Sequence, residues 1–180
     1  MTTEIHAFIE YHGGESEPFS EEGDVRSFNL GEFLVACDYA LFDLLAGARS
    51  RTNNKGSSEV MFSPRGLPDN CSDSVFRRFS VVIDDQANRS KLEIPVPVIA
   101  EPRRKSFVEN AILVSSTDGE RLFQNPNWHS ISWLTFEELK LICEKHGRLN
   151  AEFSAIVAAM SCLETELGTG RTRLVFWFDN

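Results

Sequence analysis

Long apolar runs are missing from this sequence. None approaches the ~20 residues needed to cross a bilayer, so no membrane segment is expected. Its start, Met1-Thr2-Thr3-Glu4, has no basic segment followed by an apolar one, and no signal peptide is expected. Positive charge is also short: 18 Lys and Arg stand against 27 Asp and Glu, a formal net charge of −9. That balance argues against non-specific attraction to nucleic-acid phosphate, which needs a basic surface. The four cysteines, Cys37, Cys71, Cys143 and Cys162, contain no C-x-x-C pair, and no Cys/His cluster has zinc spacing. Reduced thiols in a cytoplasmic protein are the simplest account. His6, His12, His129 and His146 lack ligand spacing, so neither a metal nor a cofactor is expected. G-x-S-x-G, H-E-x-x-H and a Gly-rich phosphate loop are all absent, as is any internal repeat.

What is present makes a core. Of 180 residues 42% are hydrophobic and 25% charged, and 14 Phe with three Trp supply large side chains, so no disulfide or metal staple is required. The acid excess serves solubility, or in a sharper reading imitates nucleic-acid charge. Dense rows of carboxylate would favour the second; here the acids scatter among Lys and Arg apart from Glu15 to Asp24, which reads as a solvated loop.

Periodicity lays out the elements. Alternation from Glu4 to Tyr11, with Ile5, Ala7, Ile9 and Tyr11 on one face, predicts a half-buried strand stopped by Gly13-Gly14. The stretch to about Ser27 reads as a surface loop. Asp38 is placed to cap a helix over Tyr39 to Ala48, with Arg49 and Arg51 at its end. A polar link over Thr52 to Ser58 follows, then a short helix from a Ser72 cap to Phe79. The runs Phe79–Ile83, Lys91–Ile99 and Ala111–Ser115 are β-rich, although Pro95 and Pro97 push the second to an edge or out of a ladder altogether. Thr135 and Glu138 form a capping box for a helix ending near Gly147, and Asn150 can cap the longest helix, which stops at Gly168. Apolar residues on both faces of Arg171 to Phe178 suggest a central strand. The expected fold is one α+β domain over 1–180: a mixed or antiparallel sheet holding the first and last strands, packed against three or four helices, with a variable β-rich insertion at 80–127.

Two motifs carry candidate chemistry. In Arg65-Gly66-Leu67-Pro68 a guanidinium stands on a rigid turn, able to bind phosphate or carboxylate bidentately, or to fasten its own loop to carbonyls or to an internal carboxylate such as Asp38. In His129-Ser130-Ile131-Ser132-Trp133-Leu134-Thr135 an imidazole, two hydroxyls and an indole stand before a helix N-terminus, where free N–H groups favour anions. The bland alternative buries Trp133 and bonds His129 to backbone. If the motifs converge, Arg65, His129, Ser130, Ser132 and Trp133, with Asp38, would line a small anion pocket. A Cys71–His129–Asp38 nucleophilic triad can be composed on paper.

Asp38-Tyr39-Ala40-Leu41-Phe42, Leu45-Ala46-Gly47, Pro64 to Pro68, His129 to Leu134 and Arg173 to Asn180 resemble segments of small uncharacterised proteins of phages, prophages and bacterial genomes. The likeness covers both ends of the chain and omits most of residues 80–127. It implies a mobile-element setting and action against a host system, without an activity to carry over.

The resulting expectation is a non-enzymatic binding protein that captures a small anionic ligand, such as a nucleotide signal, or a host protein, with no nucleic-acid or membrane partner. A small hydrolase acting on a phosphate- or acyl-containing molecule is the alternative. A third reading makes the acidic loop at 15–24 a protein-binding element; Arg103-Arg104-Lys105 is a basic spot that could also meet a partner, or simply a solvated loop.

Overall fold

The structure, a computed structural model, describes residues 4–14, 18–19, 24–28, 32–36, 38–47, 60–83, 98–99, 112–117, 120–124 and 128–179. Most of the acidic loop, the Thr52–Ser58 link, Arg49 and Arg51, Pro95 and Pro97, and Arg103–Lys105 lie outside these residues. The chain divides into two compact units: Met1–Ser72 with His129–Asn180, and Asp73–Trp128. The fold is α+β.

The first unit is built on an antiparallel sheet of five strands. They are β1 (Ile5–Gly13), β2 (Asp24–Ser27), β3 (Phe33–Val35), β8 (His129–Thr135) and β9 (Thr172–Phe178). Strand β9 lies between β1 and β8, while the other side of β1 pairs with both β2 and β3. All seven residues of β9 are buried, as a strand with neighbours on both edges and apolar residues on both faces requires. Part of the stretch read as a loop, Asp24 to Ser27, is extended because it completes the ladder beside Glu10 to Gly13.

Cross-strand register decides what each face carries. Ile5 pairs with Phe178, Ala7 with Phe176 and Ile9 with Leu174, and Leu174 continues to Leu134 on β8. These side chains form one apolar face, covered by α1 (Tyr39–Ala46), α3 (Phe136–His146) and α4 (Ala151–Leu167) through Leu41, Phe42, Leu45, Leu139, Ile142, Phe153, Ile156 and Met160. The alternate residues pair His6 with Trp177, Phe8 with Val175 and Glu10 with Arg173. Each of these is buried too, so β1 is not the half-buried strand that its alternation predicts.

Caps set the helix ends. Asp38 accepts from the Leu41 N–H at 3.1 Å, and α1 stops at Ala46 because Gly47 turns left-handed at φ 63°. A Cβ at Gly47 would also sit 2.7 Å from Val60 Cγ2, which would have to shift, while the left-handed backbone itself favours glycine. Thr135 and Glu138 form the expected capping box at the start of α3, and Asn150 caps α4 by accepting from Phe153 N at 2.8 Å. Glu164 accepts from the backbone of Gly170 and Thr172 and from the Thr172 hydroxyl, tying the turn after α4 to the start of β9.

The second unit contains α2 (Asp73–Phe79) and a four-stranded sheet, β4 (Ser80–Ile83), β5 (Val98–Ile99), β6 (Ile112–Thr117) and β7 (Glu120–Gln124), in the order β5-β4-β7-β6. Among the described residues, only the β4–β5 pair is parallel. Strand β7 was not among the sequence expectations. Phe79 packs on Trp128 with centroids 5.6 Å apart, and Gln124 donates to the Trp128 carbonyl at 3.1 Å.

Truncating Phe153, which is fully buried under the sheet, is expected to cost about 3–5 kcal/mol of stability. Leu141→Ala, on the exposed side of α3, should stay within about 0.5 kcal/mol of the parent. Urea denaturation of the two variants checks the orientation of the helix layer.

Candidate functional site

The turn at 65–66 meets strand β8, and the contacts are backbone first. Gly66 N–H donates to the Ile131 carbonyl at 3.0 Å, and Arg65 N–H donates to Ser132 Oγ at 3.2 Å. Gly66 adopts φ 80°, a left-handed conformation that glycine reaches without strain. The residues before the capping box are therefore a strand, not a free approach to a helix. Ser132 is 1% exposed, and its hydroxyl holds the turn.

The Arg65 side chain continues the same union. Its Nη1 donates to Glu138 Oε2 at 2.8 Å and lies 3.4 Å from the Trp133 carbonyl, while Nη2 donates to Glu138 Oε1. The guanidinium carbon stands 4.6 Å from the Trp133 ring centroid and 5.7 Å from that of Phe62, both within cation–π range. Glu138 is also the capping-box residue, accepting from Thr135 N at 3.0 Å. One carboxylate thus closes the mouth of α3 and neutralises Arg65. Burial alone would raise its pKa, but Arg65 and the Thr135 N–H hold it below the ordinary carboxylate value. Glu138 pairing in turn raises the Arg65 pKa.

His129 and Ser130 lie at the start of β8, where the ladder with β9 slips between His129 and Ser132. Ser130 occupies φ 51°, unusual for a residue with a side chain, and its Oγ lies 3.0 Å from His129 Nδ1. The imidazole stacks on Phe178 with centroids 5.7 Å apart.

Asp38 is engaged elsewhere. Besides capping α1, its Oδ1 lies 3.3 Å from His146 Nε2 at the last turn of α3. Glu138, in the first turn of that helix, is about 12 Å away along its axis, from the rise per residue. The internal carboxylate that fastens Arg65 is Glu138, not Asp38, and Asp38 does not orient His129 for a Cys71 nucleophile. Cys71 is half-buried; burial pushes the Cys143 thiol above its ordinary value, which disfavours thiolate chemistry there.

Beside Trp133 lies a second cation that sequence reasoning missed. Arg173, 2% exposed, donates from Nε to Glu10 Oε2 at 2.7 Å, from Nη1 to Asn70 Oδ1 at 2.9 Å and from Nη2 to the Asn70 carbonyl at 3.0 Å. Glu10, fully buried, also accepts from Ser72 N–H. Arg173 faces the Phe19 ring at 4.2 Å and that of Trp133 at 5.9 Å. A carboxylate facing an arginine across a strand pair was present in the sequence, but only the β1–β9 register makes them partners.

His6 was missed as well. It is 7% exposed, with the Glu32 carboxylate on Nδ1, Asp179 Oδ2 3.4 Å from Nε2, and Trp177 stacked on its ring at 5.8 Å. Among the described residues no group of three or more His, Cys, Asp or Glu could hold a metal, and no helix is long and apolar enough to cross a membrane. Comparison with family models, curated proteins and solved structures finds no match for this chain.

The two arginine pairs differ in burial and should differ in worth. Arg173→Met leaves Glu10 buried without its cation and is expected to cost about 3–5 kcal/mol. Arg65→Met breaks a partly exposed pair and should cost about 1 kcal/mol or less, because solvent already screens it. Chemical denaturation measures both; comparable losses would contradict this ranking.

Proposed function

We propose that the chain is a non-enzymatic binding protein that captures a small anionic ligand of the nucleotide class at Arg65 and Trp133; His129, stacked on Phe178, and Ser130 stand at the other end of β8. The single observation that carries this reading is the partly exposed guanidinium lying on the Trp133 indole, with both terminal nitrogens turned to one carboxylate. That is the geometry by which arginine takes a phosphate or carboxylate in bidentate fashion. The Glu138 carboxylate occupies the position such an oxyanion would take, and the indole offers a planar surface for a base. Ser132 holds the turn in place, and Asp38 has a structural part outside the site.

The resemblance to phage and prophage proteins supports a mobile-element setting, in which capture of a nucleotide signal would counter a host defence. Capture of a host protein is the other form of the same reading. A hydrolase remains the second reading, favoured by one observation: Ser130 Oγ stands 3.0 Å from an imidazole nitrogen at a strained backbone position.

Native mass spectrometry after incubation with a panel of mono- and cyclic nucleotides tests both. The expected result is a retained nucleotide of unchanged mass, lost in Arg65→Ala by roughly tenfold or more in Kd for each charged hydrogen bond removed. Retention by neither protein would end the nucleotide reading, and a product of altered mass that disappears in Ser130→Ala would make the chain a hydrolase.

A further inference from the structure

The other buried face of the first-unit sheet holds an ionisable group that this binding site does not use. His6 lies near the start of β1, paired with Trp177 on one side and with Leu34 on the other. Its ring stacks on the Trp177 indole at an interplanar angle of 12°, so it is fixed edge-on between two acids. Among the described residues, the charged groups set against it are Glu32, from the segment leading into β3, and Asp179, just beyond the end of β9. Asp179 is itself tied to the chain start: its Oδ1 accepts from Glu4 N–H at 3.0 Å, and its own N–H donates to the Glu4 carbonyl at 3.3 Å.

We propose that His6 is a proton-operated clasp: with both ring nitrogens protonated it ties the entry to β3 and the end of β9 to β1, and on losing one proton it loosens one of those ties. Chemistry dictates the asymmetry. A doubly protonated imidazole carries a proton on each nitrogen, so it hydrogen-bonds Glu32 at Nδ1 and attracts Asp179 at Nε2, where the 3.4 Å contact is an ion pair rather than a hydrogen bond. The neutral ring has one donor, which leaves one carboxylate facing a lone pair in a buried place.

Burial by itself would lower the His6 pKa, but the hydrogen bonds and charges of Glu32, then those of Asp179, raise it above the ordinary 6.5. The sign follows. The folded chain holds this proton more tightly than the unfolded chain, so the stabilisation is complete below about pH 6.5 and is lost as pH rises through the folded value. Each pH unit between the two values corresponds to about tenfold in the folding equilibrium constant.

The test uses the whole chain. The imidazole resonances of His6 are followed by NMR across pH 5–9, and hydrogen exchange of the β3 and Glu4 amides is measured at matched intrinsic rates. We expect His6 to titrate above 6.5, and the protection of those amides to fall with the same midpoint, by at least as much as that of α4, whose core amides report only the loss of global stability. Glu32→Gln should move the titration down by removing one of the two acids. His6→Gln should abolish the pH dependence of protection at β3. A His6 titration at or below 6.5, or protection that ignores that midpoint, would overturn the clasp. The native chain alone supplies both readouts, so a variant that fails to fold does not shelter the proposal.

Discussion

The buried union of Arg173 with Glu10 is the interaction on which the first unit is arranged. A charge pair under a sheet is costly unless all its donors and acceptors are used, and here they are distributed with care: Glu10 takes Arg173 and Ser72 N–H, while Arg173 takes both the side chain and the carbonyl of Asn70. Three of those four bonds run to residues 70 and 72. The pair therefore draws the segment after the Arg65 turn down onto β1 and β9, and that placement brings Arg65 within reach of β8. It thus adds to the direct bonds from Gly66 to Ile131 and from Arg65 to Ser132 and Glu138 that set the guanidinium beside the indole.

Glu138 joins local and tertiary structure in one side chain. A capping box needs an acceptor at its third helical position, and any Glu or Gln there would serve α3. The ion pair with Arg65 adds a second demand, a negative charge presented edge-on to a guanidinium. An incoming oxyanion has to exchange with a carboxylate that remains anchored to Thr135 N–H, so binding would release Glu138 from one duty and leave the other intact. Such an exchange favours ligands with more charge than a single carboxylate, a phosphate ester among them.

Much of the helical framework was legible in the sequence, because caps are local. Asp38, Thr135 with Glu138, Asn150 and Gly168 name their helix ends within four residues, whereas the helix read through to Ala48 stops at Ala46, where Gly47 turns left-handed. The first and last strands, which lie inside the sheet, were legible as strands from alternation and two-sided apolarity, although alternation read β1 as half-buried. Less accessible was everything that depends on register. His6 and Glu10 look like the solvent side of an amphipathic strand until β9 supplies Trp177 and Arg173 opposite them. The segment from His129 to Thr135 mixes polar and apolar residues without a clean period, partly because its ladder slips after His129, and so it reads as the approach to a helix although it is a strand. For the same reason Arg65 could be given a carboxylate partner in kind but not in identity: the choice between Asp38 and Glu138 lies in the packing of α3 against both α1 and β8.

The hydrogen bond from Gly66 to Ile131 has a consequence for how the molecule behaves in company. Strand β8 ends its sheet, and a strand with unoccupied carbonyls on its outer side is a template for stacking further chains. The Arg65–Gly66 turn occupies two of those carbonyls, Ile131 by an amide and Trp133 by the guanidinium, in the manner of a hand laid over a rail. The same few atoms that build the candidate site thus also cover part of the open border of that strand.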